Sequence, residues 1–225
     1  MGKVIIQKHT TMHPIQMIGE EAGICYGSDI SSEEKNYKRG LQCIKDGHGR
    51  TTEFPQVYLI IEGYSARFMR ELYTHIGGAP NRLQASTRYI KYGEFDFITP
   101  HSIANNPEAL EVYNHVMDTI SDGYRQLEDL GVPKEDTANI LPLGMESKMV
   151  LRTNLRNLVD MSHQRECARA YWEFREFMRD LKAALSEYSD EWKLLVDSQF
   201  MPKCELTGYC TEKFSCGRRP QKALD

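Results

Sequence analysis

The chain has 225 residues, 28 Lys and Arg against 32 Asp and Glu, a formal charge of −4 and 40% hydrophobic side chains. That is enough apolar chain for one large domain with a real core, and the mildly acidic balance without a basic run argues against nucleic-acid binding. No apolar stretch approaches the roughly 18–20 residues of a membrane span, and MGKVIIQKHTTMHP lacks a signal peptide's apolar core, so a cytoplasmic protein is expected.

Residues 3–8, KVIIQK, read as a short opening strand. His13-Pro14 then leads into a helix over 14–26, with Ile15, Ile18, Ala22 and Cys25 at spacings of three and four. Ser31 or Ser32 can cap the next helix, which Gly47 ends. QVYLIIEG at 56–63 is β-branched and apolar and reads as a buried strand. Residues 65–75 read as a helix stopped by Gly77-Gly78-Ala79-Pro80, and TRYIKYGEF as partly extended. A long helix fills 107–130, with Pro107 in its first turn and Gly131 as its stop. Leu110, Val112, Val116, Ile120, Tyr124 and Leu127 are its candidate core positions. SKMVLRTN reads as a strand, followed by helices over 154–163 and 165–187, the latter with Trp172, Phe174, Phe177, Met178, Leu181 and Leu185 as a core stripe. No linker or repeat interrupts this order. It predicts an α+β fold, a small mainly antiparallel sheet packed with long helices in a single domain.

Two stretches carry chemistry. Gln84-Ala85-Ser86-Thr87-Arg88-Tyr89 puts a hydroxyl, a guanidinium and a phenol close together just after a Gly/Pro break, where backbone amides can converge on a phosphate. Read by itself, this is a turn in which Ser86 caps and Arg88 is solvated. Further on, Asn154, Arg156, Asp160 and Arg165 recur at helical spacing ahead of an aromatic-rich helix. Asp160 lies four residues past Arg156 and can pair with it, while Arg165 can pair with Glu166 or Glu173.

Together with PIQMIGEEAGICYGS, GHGRTTEF and ILPLGMESKMVLRTNLRNL, these stretches resemble the flavin-dependent thymidylate synthases over residues 14 to 185. The resemblance implies methylation of dUMP to dTMP with methylenetetrahydrofolate as carbon donor, FAD as redox cofactor and NADPH as reductant. It implies a homotetramer with sites shared between chains. Glu71, Gln84, Ala85, Ser86, Thr87, Arg88 and Arg165 fall on its dUMP contacts. Thr51, Thr74, His75, Ile76, Gln84, Asn154, Arg156 and Asp160 fall on its FAD contacts. Arg165 becomes the catalytic residue: a permanent cation at the uracil edge favours the N3-ionised ring, so its role is electrostatic rather than that of a base.

The chain also departs from that family. Its Arg-His-Arg signature is Thr74-His75-Ile76 here, with nine residues before Ser86 instead of seven, so two cations are missing. Arg82, inside the enlarged loop, can restore one charge. A phosphate-contacting Arg aligns with Ala138, and a His often found four residues after Arg165 is Arg169. His48 matches a His that approaches flavin, or it merely ends a helix. Two alternatives follow from these changes: a paralogue modifying another pyrimidine nucleotide, and a non-catalytic nucleotide-binding or zinc-stabilised protein.

Residues 1–200 are expected to form the catalytic domain and residues 201–225 a Cys-containing tail. Cys204, Cys210 and Cys216 are separated by five residues each, with Cys25, Cys43, Cys167 or a His available as a fourth ligand. Zinc sites use tighter pairs, so no metal site is assigned and reduced thiols are expected.

Overall fold

A computed structural model describes residues 2–222. Strand β1 is Lys3–Ile6, and helices α1 (Pro14–Cys25) and α2 (Glu33–Lys45) follow. Ser32 is the cap of α2, its hydroxyl accepting the Lys35 N–H, with Glu33 and Glu34 in the first turn where the helix dipole favours them. These helices cross in near backbone contact. A Cβ at Gly19 would lie 1.7 Å from the Asn36 carbonyl oxygen, and one at Gly40 1.9 Å from that of Ile15, so only glycine permits this approach.

A 3-10 turn, Gly49–Glu53, leads into β2 (Gln56–Ser65) and α3 (Ala66–Leu72). Then come β3 (Asn81–Gln84), α4 (His101–Ala104), α5 (Pro107–Asp129), α6 (Lys134–Thr137) and β4 (Glu146–Asn154). The chain finishes with α7 (Leu155–Arg165), α8 (Trp172–Tyr188), α9 (Asp190–Gln199) and α10 (Lys203–Thr207). The four strands form one antiparallel sheet in the order β1-β2-β4-β3. The expected α+β class is what the chain adopts.

The chain divides into two compact units, and β2, β3 and β4 contribute residues to both. One unit takes Ile61–Thr74 and Leu83–Met149. It buries Phe68, Met69 and Leu72 of α3 and a cluster of Tyr92, Tyr124 and Met145. The other takes Gly2–Ile60, His75–Arg82 and the residues from Val150 onward. Its core is the α8 stripe Phe174, Phe177, Met178, Leu181 and Leu185, with Ile15, Ile18, Leu155, Leu158 and Trp192 also buried. Trp192 Nε1–H donates to the Thr11 carbonyl at 2.7 Å, so the buried indole keeps its polar handle satisfied.

Three expectations fail. TRYIKYGEF is not extended: residues 87–89 turn and 93–94 bend, and only Phe97 makes an isolated bridge, to Met145. The strand lies earlier, at Asn81–Gln84, because backbone pairing overrides a Gly/Pro-rich context. On α5, Tyr124 is buried but Val112 and Val116 are 64% and 45% exposed, and Met117 takes the core position. Finally, α8 begins at Trp172, not 165. Arg165 closes α7, and the intervening turn breaks the helix.

Candidate functional site

The second unit builds its site at the β4–α7 junction. Asn154 leaves the strand extended and caps α7, its Oδ1 accepting the Asn157 N–H at 2.9 Å. Asn157 Nδ2 donates to Thr153 Oγ1 at 2.8 Å, so both asparagine side chains are held in place against the turn that faces them. That turn is Gly77-Gly78. Gly78 has φ +66°, and a Cβ there would lie 2.1 Å from Asn154 Nδ2; at Gly77 it would lie 2.9 Å from Asn157 Oδ1. Arg152 reaches the same loop, donating from Nη2 to the Ala79 carbonyl at 3.2 Å. The glycines are therefore required by contact with the asparagine side chains as well as by turn geometry.

The clamp places His75, which is only 6% exposed. Arg165 donates Nε–H to His75 Nε2 at 2.9 Å. Its guanidinium also lies over the Phe174 ring, 4.5 Å from carbon to centroid, and the His75 ring meets Phe174 edge-on at 5.4 Å. Arg82 donates to the His75 backbone carbonyl. Burial first, then the Arg165 and Arg82 charges, push the His75 pKa down from 6.5 to about 4. At neutral pH the imidazole is thus uncharged, its Nε2 a hydrogen-bond acceptor for Arg165. The result is a half-buried, oriented cation held by an imidazole and an aromatic face. Glu166 pairs with Lys182 at 2.9 Å, and Glu173 accepts from the Tyr171 hydroxyl at 3.1 Å. The charge expected of Arg82 does sit beside His75.

A cavity of about 480 Å³ opens alongside α7 in the same unit. Arg156 and Asp160 line it with His48, Gly47 and Gly49, against apolar Leu155, Val159 and Leu195. Arg156 pairs with Glu53 rather than with Asp160, because the 3-10 turn carries Glu53 to it. Thr51 Oγ1 donates to the His48 carbonyl at 2.7 Å, and His48 is the residue that starts that turn. Ile76 is 74% exposed.

The other unit holds the remaining candidates. Residues 86–89 form a turn in which Ser86 Oγ accepts the Arg88 N–H at 3.2 Å. Arg88 Nε donates to Glu135 at 3.0 Å in an exposed pair, and Lys134 donates to the Tyr89 carbonyl at 3.2 Å, so α6 braces the loop. Gln84 donates to Ser147 Oγ at 3.1 Å. Thr74 Oγ1 donates to the Glu71 carbonyl at 2.7 Å, ending α3. The structure thus assembles His75, Arg165, Asn154, Arg156 and Asp160 in one unit, while Glu71, Thr74 and Gln84 to Arg88 belong to the other. Arg169 takes no part: it bonds the Phe214 carbonyl at 3.1 Å and pairs with Glu212.

Sequence spacing missed Phe174, Arg152 and Glu53. Phe174 reads as pure core stripe, and nothing in the linear order links Glu53 to a residue 103 positions later.

Residues 8–188 match the family described as thymidylate synthase complementing protein, Thy1. The chain belongs to that family. Among its relatives, the flavin-dependent thymidylate synthase of Geobacter sulfurreducens is 30% identical over 231 aligned positions, covering 96% of this chain and 94% of the relative. That of Nitratidesulfovibrio vulgaris is 29% identical over 204, covering 85% and 81%. The fold is similar to that of the Helicobacter pylori enzyme, solved with FAD and dUMP: TM-score 0.66 at 19% identity, over 85% of this chain and 98% of that one.

Proposed function

We propose that this protein is a flavin-dependent thymidylate synthase, converting dUMP to dTMP with methylenetetrahydrofolate as one-carbon donor and NADPH as reductant. The observation that carries the reading is the Arg165 cation, fixed against neutral His75 and the Phe174 face within a Thy1 chain. Such a group is oriented before substrate arrives, and a permanent positive charge beside the uracil N3–H lowers that group's pKa and enriches C5. Arg165 acts as an electrostatic partner, not as a base. His75 positions it and cannot compete for its charge, because the imidazole stays neutral.

The chemistry of the donor set fits FAD. Arg156 offers a guanidinium for phosphate, Asp160 a carboxylate for ribose hydroxyls, and Gly47 and Gly49 open backbone, all on a cavity with apolar walls for an aromatic ring. The Arg152 Nε–H is buried without a protein partner, which leaves a donor for a ligand beside Asn154. Bound flavin supplies the hydride, and the protein supplies orientation and electrostatics. Thr51, Thr74, His75, Ile76 and Gln84 complete the proposed flavin set. Glu71, Gln84, Ala85, Ser86, Thr87 and Arg88 form the proposed dUMP set with Arg165. For Arg88 to meet a phosphate it must leave Glu135, a small cost for an exposed pair.

A homotetramer is proposed, supported by the uncovered Val112 and Val116, four residues apart on one face of α5. Residues 1–200 are assigned to catalysis, since the family match ends at 188. A cytoplasmic location fits nucleotide and NADPH substrates; among the described residues no helix is long and apolar enough to cross a membrane. The test is dTMP formation from dUMP with methylenetetrahydrofolate, NADPH and FAD, followed chromatographically. Absence of product, together with no flavin binding at FAD on the order of hundreds of micromolar, overturns the proposal.

A further inference from the structure

Beyond residue 188, where the family match stops, the tail carries a cluster that the proposed activity does not use. Cys167, Cys204, Cys210 and Cys216 line a single cavity of about 290 Å³, all four as free thiols, whereas Cys25 and Cys43 lie outside it. Three of these cysteines come from the tail, and Cys167 comes from the turn after α7, so the set is assembled by folding and not by a local motif.

The tail itself has almost no core. From residue 203 to 222, Cys210 is its one buried residue. Hydrophobic burial on that scale does not offset the entropy of ordering such a segment, which is why small peripheral modules use metal or disulfide staples. Yet the path of this segment is defined. Cys210 N–H donates to the Pro220 carbonyl at 2.7 Å, and its carbonyl accepts from Lys222 at 2.9 Å. Arg218 donates to the Glu166 carbonyl at 3.3 Å, and Arg169 to that of Phe214 at 3.1 Å. The two arginine contacts are exposed and individually weak. All of these contacts surround the thiol-lined cavity.

We infer that Cys167, Cys204, Cys210 and Cys216 bind a four-iron, four-sulfide cluster that staples the tail to the turn after α7. Four thiolates are a soft donor set, which selects zinc or an iron–sulfur cluster. Zinc held by four cysteines sits about 2.3 Å from each sulfur and leaves no hollow among them. Among the described residues no group of three or more His, Cys, Asp or Glu is placed to hold a single metal ion. The space they enclose suits a larger inorganic body. Its surround is cationic, with Arg169, Lys203, Arg218 and Arg219 lining the same cavity, and positive side chains offset the net negative charge of a thiolate-ligated cluster.

The test uses the purified chain kept without oxygen, then supplied with equal iron(II) and iron(III) and with sulfide, with iron, zinc and acid-labile sulfide measured against protein. Flavin is quantified separately after extraction, so failure of flavin binding and failure of this inference are told apart. The expected result is about four iron and four sulfide per chain, lost in Cys204→Ser and Cys216→Ser and retained in Cys25→Ser. Stoichiometric zinc without sulfide overturns the inference, as does metal-free protein whose four thiols all titrate or have formed disulfides. Because the wild-type analysis decides by itself, poor folding of a serine variant does not blunt the test.

Discussion

Replacing Arg165 by Lys keeps the charge and removes the geometry. Arg165 Nε–H satisfies His75 Nε2 at 2.9 Å in a site where the imidazole is 6% exposed, and its flat head covers Phe174 at 4.5 Å. A lysine ammonium has neither the fork nor the plane. Leaving a buried acceptor unsatisfied costs about 1–3 kcal/mol, and loss of the stacked cation adds about 0.5–1 kcal/mol. A total of roughly 2 kcal/mol corresponds to a fall of about 4–8 °C in Tm for a chain of this length. The effect on turnover is larger, about a hundred- to a thousandfold, because a preorganised electrostatic partner is lost at the reacting ring. Turnover of dUMP, dUMP affinity by calorimetry and thermal unfolding of Arg165→Lys and Arg165→Ala are the assays. A solvated surface arginine gives a stability change within about 0.5 kcal/mol and no change in activity. Unchanged nucleotide binding and turnover would remove Arg165 from the site.

The remaining expectations follow from the same geometry. Because His75 is neutral in the native state with its pKa near 4, while the unfolded chain takes a proton near 6.5, stability is full above about pH 6.5 and declines as pH falls toward 4, by about 3 kcal/mol from this group. Urea midpoints across that range should show the decline, and His75→Gln should lack it; equal slopes refute the assignment. Arg156→Ala should weaken FAD binding by roughly ten- to a hundredfold, the loss of one charge-assisted contact, and unchanged affinity in a titration would move flavin elsewhere. Gly78→Ala should destabilise by more than about 1 kcal/mol, since φ is +66° and the new methyl meets Asn154 at 2.1 Å; a neutral result in chemical denaturation contradicts the clamp. Light scattering should give a tetramer mass, and Val112→Glu with Val116→Glu should lower it; a wild-type monomer with flavin and nucleotide bound defeats the assembly proposed here.

Periodicity and punctuation determined much of this chain. The α8 stripe, the buried β2 run, the Ser32 cap and the Pro107 start of α5 are local signals: each depends on residues within a turn or two of one another, so the linear order carries them. The same holds for the placement of Asn154 and Arg156 at a strand-to-helix junction. Tertiary structure alone decided which partners these residues meet. Val112 and Val116 satisfy the helix period but face outward, since periodicity defines a stripe and not what covers it. Asn81–Gln84 became a strand because an edge was available, against its local composition. Arg156 met Glu53 instead of Asp160, Arg165 met His75 ninety positions earlier, and Cys167 joined three cysteines of the tail. Such pairings close loops of tens of residues. Their geometry depends on where helices and strands pack, and no spacing rule along the chain encodes it.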